Sequence, residues 1–378
     1  MRRTYLDYAA GGSGNPSSPH EEGHRAKKML EDARTDIARL VEAQSDDIVF
    51  TSGATEANAL AILGHVRALR ESGEGALHAL YLPSAHASVV ENMRLLASEG
   101  VAIEALPIRD YRVDTEALAL LLRSETALVS VDAVCGETGV VWNTREVAET
   151  LRTARGGSAA ARGILHVDAS QAPLTEKITR AHFGADMLTF DASKVGESRG
   201  IGALVAHRTI PIVPFYGGGG QERALHPGTE APELARGFAT ALRAAAQGRE
   251  AFRAAAARDR ALLIGLITDA IPNVFIQEGR TQAPNILNFS LPGRDTDYLV
   301  MLLNEAGFAV SSKSACETDS EEGSRAVLAL TGDAARARAT LRISWGPRTP
   351  SRAIARFARV LAREIAFIDT DIDTKAGR

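Results

Sequence analysis

Gly163-Ile-Leu-His-Val-Asp168-Ala-Ser-Gln171 and, shortly after it, Met187-Leu-Thr-Phe-Asp191-Ala-Ser-Lys194 decide the fold. Each is a short run of large apolar residues that ends in a charged group, the pattern of a strand buried on both faces. Working outward, the same unit recurs with helices between. Over residues 21–43, Ala26, Met29, Leu30, Ala33, Ile37, Leu40 and Val41 recur at helical spacing. Ile48-Val-Phe50 predicts a short strand, followed by a helix carrying Ala57, Leu60, Ala61 and Leu63. Leu77–Leu82, Ala102–Pro107 and Leu128–Val131 predict further strands, with helices over 89–99 and 144–155. The alternation predicts an α/β fold with a mostly parallel central sheet and helices on both faces. Ligands of such sheets sit outside the carboxyl ends of the strands, and every motif discussed below falls at one of those ends.

The length of 378 residues allows two domains and a large core. A formal charge of -4 and a pI near 6.2 argue against nucleic acid as the main partner. The start, Met1-Arg-Arg-Thr, carries no apolar leader, and no run approaches a membrane span. Two cysteines, Cys135 and Cys316, cannot build a disulfide framework, so a reducing cytoplasm is the expected location. After Gly217-Gly-Gly-Gly220 the pattern changes to a long Ala/Arg-rich helical stretch over about 230–269. The tail from Arg352 starts as a helix and is expected to fray by Thr374.

Several residues are candidates for chemistry. A lysine and a carboxylate at neighbouring strand ends are what enzymes using pyridoxal 5'-phosphate (PLP) need: Lys194 to attach the cofactor, Asp168 to keep its ring nitrogen protonated. Taken alone, the pair fits two ordinary strand ends equally well. Ser52-Gly-Ala-Thr55 lies between a strand and a helix, where free backbone N–H groups attract anions. A plain helix capped by Ser52 or Thr55 explains the same residues. No Gly-Lys-Ser/Thr follows, which excludes a Walker loop, and Gly11-Gly-Ser-Gly14 lacks the dinucleotide-binding spacing. His86 sits just after a strand, where an imidazole can relay protons near neutral pH or simply be inert. Cys316 lies in a small, polar and acidic stretch, an unusual place for a cysteine that only fills a core. Its acidic neighbours should hinder thiolate formation.

Tyr5-Leu-Asp-Tyr-Ala-Ala10, Asn15-Pro-Ser-Ser18, Phe50-Thr-Ser-Gly-Ala-Thr-Glu-Ala-Asn58, His166-Val-Asp-Ala169, Gly217-Gly-Gly-Gly-Gln-Glu222 and Ser314-Ala-Cys316 follow one another in that order. With them the chain resembles the class V aminotransferase family, and within it the cysteine desulfurases, from Tyr5 to about Pro350. The resemblance implies a PLP-dependent transferase of fold type I. Its large PLP-binding domain would span 15–249. A smaller α+β domain would be built from 1–14 and 250–378 and carry the cysteine loop. It implies a homodimer that converts L-cysteine to L-alanine and passes sulfur to an acceptor protein, either an iron–sulfur scaffold or a tRNA-thiolation protein.

The resemblance also implies roles for single residues. Lys194, Cys316 and His86 become catalytic, with Cys316 carrying the sulfur as a persulfide and His86 stacking on the ring. Ala54, Thr55 and Ser193 join Asp168, Gln171 and Lys194 in holding the cofactor. Thr229 would reach the cofactor phosphate of a neighbouring subunit, and Arg342 would grip the substrate carboxylate with its planar fork. A selenocysteine lyase, another class V enzyme, or a non-catalytic scaffold with an impaired cofactor site would share most of these motifs.

Four departures from the family pattern stand out. The usual Ser-x-His-Lys is Asp191-Ala-Ser193-Lys194, which puts an anion beside the phosphate site. Asn-Asn-Glu is Cys135-Gly136-Glu137, Arg-x-Gly-Thr is His226-Pro-Gly-Thr229, and the segment between Ala10 and Asn15 is short. Cys135 becomes either a second thiol for sulfur handling or a small buried side chain.

Overall fold

The computed structural model describes residues 4–12, 14–154, 163–196, 198–312 and 323–376, with side chains to Thr370. Strands β1 (Ile48–Thr51), β2 (His78–Tyr81) and β3 (Ala102–Ala105) come first, followed by a hairpin of β4 (Ile108–Arg109) and β5 (Arg112–Val113). Strands β6 (Thr126–Asp132), β7 (Ile164–Asp168), β8 (Met187–Asp191) and β9 (Gly202–Ala206) complete a seven-stranded sheet of order β1-β9-β8-β7-β6-β2-β3. All its pairings are parallel except those of β9, which runs antiparallel to both β1 and β8. The central strands are buried along almost their whole length because helices cover both faces and leave no wet side.

Helix Glu21–Val41 is locked to the edge of this sheet by a buried ion pair. Arg34 donates to both carboxylate oxygens of Glu222, at 2.8 and 2.6 Å, and to the carbonyl of Ile48 at 2.8 Å. Glu222 also accepts the Phe50 N–H at 2.6 Å. Thus one carboxylate ties a helix, strand β1 and the loop after Gly217-Gly-Gly-Gly220 together. Glu222 and Arg223 adopt positive φ to reach it, a conformation held only because the surrounding contacts over-determine it.

A helix over Pro232–Ala270 leads out of this layer. Its first half buries Phe238 and Leu242 in the core of the large sheet, and its second half buries Leu263 and Ile267 in a separate core. That second core lies on an antiparallel sheet of β10 (Phe275–Ile276), β11 (Ile286–Ser290) and β12 (Thr340–Ser344). Helices Thr296–Glu305 and Ser351–Ala376 cover it. The last helix runs on past Thr374, where fraying was expected. Among the described residues, no helix is long and apolar enough to cross a membrane.

Candidate active site

A cavity of about 290 Å³ opens where β1, β2, β6, β7 and β8 end and the smaller sheet leans over them. Ala54, Thr55, His86, Asp168, Gln171, Lys194 and Arg342 all line it, although they come from widely separated parts of the chain. Side chains from five strand ends converge here because parallel strands all finish on the same edge of the sheet.

Asp168 ends β7 and is buried. Its Oδ2 accepts from the Asn58 side-chain amide at 2.7 Å and its Oδ1 from the Ser170 N–H at 2.9 Å. The same Asn58 amide donates to Ser88 Oγ at 2.8 Å, and Ser88 Oγ lies 2.8 Å from His86 Nδ1. The Ser88 N–H also donates to Nδ1, at 3.2 Å, because His86 is the N-cap of helix Ala87–Ser98. Nδ1 is therefore an acceptor, which leaves the proton of the neutral ring on Nε2. Asp168 and His86 are thereby joined through two side chains, Asn58 and Ser88. The motif containing Asn58 was recognisable in the sequence, but its part in this chain of contacts was missed. The signal was its position one helical turn after Ala54, which puts it on the same face.

Lys194 closes a short turn, Ala192–Lys194, after β8. Asp191 caps that turn, with Oδ1 accepting the Ser193 N–H at 2.8 Å and the Ser193 hydroxyl at 2.6 Å. Its Oδ2 accepts the Ala54 N–H at 3.1 Å. The cap predicted for the helix at 54 is accordingly not Ser52 or Thr55. Gly53 holds that position with no side-chain bond, because an aspartate from another strand supplies the acceptor. Ser52 instead turns to Glu56, donating from N–H at 2.7 Å and from Oγ at 2.8 Å. Glu56 pairs with His226 at 2.7 Å. Burial would raise the Glu56 carboxyl, but the His226 and Ser52 hydrogen bonds outweigh it and hold the group below the ordinary carboxylate range. The same Glu56 bond raises His226. Ser193, engaged by Asp191, is exposed and does not line the cavity. Thr229 is exposed and lies outside the cavity of its own chain.

Gln171 faces Gly136, where a Cβ would come within 3.0 Å of the Gln171 amide nitrogen. Glycine at 136 thus leaves room that the Gln171 amide fills. Arg342, on β12, donates to the carbonyl of Gly136 at 3.1 Å and to Ser311 Oγ at 3.2 Å. Arg325 and Ala326 line the cavity beside it. Cys316 lies outside the described residues. The described flanks of its segment both reach the site: Ser311 bridges to Arg342, and Arg325 lines the cavity. Cys135 is buried, and burial followed by the charge of Asp132 pushes its thiol up to about 11. It therefore stays a thiol at neutral pH and serves as wall rather than nucleophile. Asp132, unmarked in the sequence beyond ending a strand, also lines the cavity.

The model of the family described as aminotransferase class-V matches residues 2–357. The chain is 31% identical over 359 residues to cysteine desulfurase IscS 1 of Archaeoglobus fulgidus, covering 94% of this chain and 91% of that protein. It is 35% identical over 339 residues to cysteine desulfurase IscS of Salmonella arizonae, covering 88% and 80%. The crystal structure of DndA from Streptomyces lividans superposes with a TM-score of 0.74 at 30% identity, covering 90% of this chain and 93% of that one. The chain belongs to the class V aminotransferases, among the cysteine desulfurases, a family that depends on pyridoxal phosphate.

Proposed function

We propose that this chain takes the sulfur of L-cysteine onto Cys316 as a persulfide and releases L-alanine, with PLP as its cofactor. The convergence of Lys194, Asp168, His86, Gln171 and Arg342 on one cavity carries this reading. The ring end of the cavity suits PLP chemically. Asp168 is buried and hydrogen-bonded twice as a carboxylate, the form that pairs with a protonated pyridine nitrogen. Lys194 supplies the amine, Gln171 an amide, and Ala54 and Thr55 the phosphate end.

Bound PLP supplies an electron sink for negative charge at the substrate Cα. The chain's own residues supply the rest. Arg342 orients the substrate by its carboxylate, and Lys194 or His86 moves the Cα proton. His86 is suited to this because Asn58 and Ser88 fix its ring through Nδ1. Cys316 takes the sulfur, Cβ gains a proton, and alanine leaves. The persulfide then passes sulfur to an iron–sulfur scaffold or a tRNA-thiolation protein in the cytoplasm. The working form is a homodimer in which Thr229 serves the neighbouring cofactor. The boundary between a large domain, 15–249, and a small one, 1–14 with 250–378, falls within the helix Pro232–Ala270.

The test is production of alanine and sulfide from L-cysteine by the purified holoprotein and by Cys316→Ala. Activity lost in the variant supports the proposal. Selenium release from selenocysteine that survives Cys316→Ala would make the chain a lyase. A protein that never attaches PLP to Lys194 would be a non-catalytic homologue.

A further inference from the structure

The phosphate end of the cavity is already supplied with anions by the chain itself. Asp191 Oδ2 holds the Ala54 N–H, the backbone donor that opens the helical segment running without a break from Ala54 to Glu71. Asp191, Ala54 and Thr55 all line the cavity, so the carboxylate stands inside it. Its other oxygen holds both donors of Ser193. Two further polar groups nearby are also engaged: Ser52 and His226 are both bound to Glu56. Nor can the turn itself retreat. A Cβ on Gly202 of β9 would come within 2.6 Å of Gly53, so the two backbones are pressed together.

We propose that Asp191 is a resident anion at the phosphate end of the site, which the cofactor's phosphate must displace from Ala54. One N–H cannot serve two anions, and like charges a few ångströms apart in a partly buried site repel strongly. The phosphate therefore gains little on binding, and the protein discriminates weakly between PLP and unphosphorylated pyridoxal. Asp191 acts here as a specificity-determining residue for the cofactor, through its charge. This inference rests on the PLP reading above.

Equilibrium dialysis of the apoprotein against PLP and, separately, pyridoxal tests it, with wild type, Asp191→Ser and Asp191→Asn compared. Borohydride reduction and mass spectrometry report attachment to Lys194, and circular dichroism confirms that each variant is folded. The wild-type preference for PLP is expected to lie within about tenfold, and Asp191→Ser to raise it by about tenfold or more through PLP affinity alone. Asp191→Asn, which keeps the shape and removes the charge, should shift it the same way. An unchanged preference in both variants overturns the inference while leaving the PLP reading intact. Attachment of PLP only after Asp191→Ser upholds both. Attachment of neither compound to any of the three proteins overturns the PLP reading, and this inference with it.

Discussion

Asp132 and Asp168 stand in register at the ends of adjacent parallel strands, both buried. Only Asp168 has both oxygens hydrogen-bonded, and Oδ1 of Asp132 has no partner. Paired residues of parallel neighbours point to the same face, so two carboxyls share one wall of the cavity.

Burial first, and then the charge of Asp168, push the Asp132 carboxyl well above its ordinary value, with Arg325 pulling the other way. Asp132 therefore holds its proton more tightly in the folded chain than in the unfolded one. Stability falls as pH rises above the unfolded value of 3.8 toward the folded one. Asp132→Asn removes that loss. Its melting temperature should exceed that of wild type by a margin that widens from about pH 4 upward. His166, which burial pushes down to about 4, gives the opposite slope. It is present in both proteins and cancels in the comparison. A margin that stays constant with pH would contradict the raised Asp132 carboxyl.

Asn58 is the only described donor holding Asp168 Oδ2. Asn58→Leu leaves Asp168 Oδ2 unsatisfied and Ser88 without its donor, and should cost about 1–3 kcal/mol. Urea unfolding of the apoprotein reads this directly. The Ser88 hydroxyl that holds His86 Nδ1 also loses its own anchor, leaving the ring to the Ser88 N–H, so the holoprotein's activity should fall more than its stability accounts for. Full activity at reduced stability would confine Asn58 to a packing role.

Arg342 spreads its two terminal nitrogens over Gly136 and Ser311. Lysine has a single head group and cannot reproduce that fork. Arg342→Lys should raise KM for L-cysteine by about tenfold and change kcat less, as expected for lost ground-state binding. An unchanged KM would take substrate binding away from this residue.

The pair Arg34–Glu222 lies away from the cavity, and its effect should be on stability alone. Glu222→Gln leaves the buried Arg34 guanidinium with only the more exposed Glu31 as counter-charge, at a cost of up to about 3–5 kcal/mol. Thermal unfolding checks it. A variant that unfolds like wild type would show that the ion pair is dispensable.

Much of the architecture was legible in the chain. Asp168 at the end of β7 and Lys194 just past β8 lie where they were expected, because an apolar run that stops at a charge marks where a buried strand ends. The long helix after Gly217-Gly-Gly-Gly220 was equally plain, since an Ala/Arg-rich stretch with no strong stop favours helix over its whole length. Partners distant in sequence were not legible. Nothing near Asn58 points to Asp168, and nothing near Asp191 points to Ala54, because both contacts cross between elements brought together by the sheet.

By itself, the sequence determined the α/β alternation, the family, and seven of the residues that gather at the cavity: Ala54, Thr55, His86, Asp168, Gln171, Lys194 and Arg342. Periodicity and motif spacing are local properties, carried by neighbours along the chain. Only the tertiary structure decided that Asp191 caps the helix at Ala54, that Ser193 is held by Asp191, that Cys135 is a buried wall, and that Asp132 stands beside Asp168. Each of those depends on strand order and register. Whether a carboxylate is an anion, a cap or a neutral acid depends on the groups that other strands place around it.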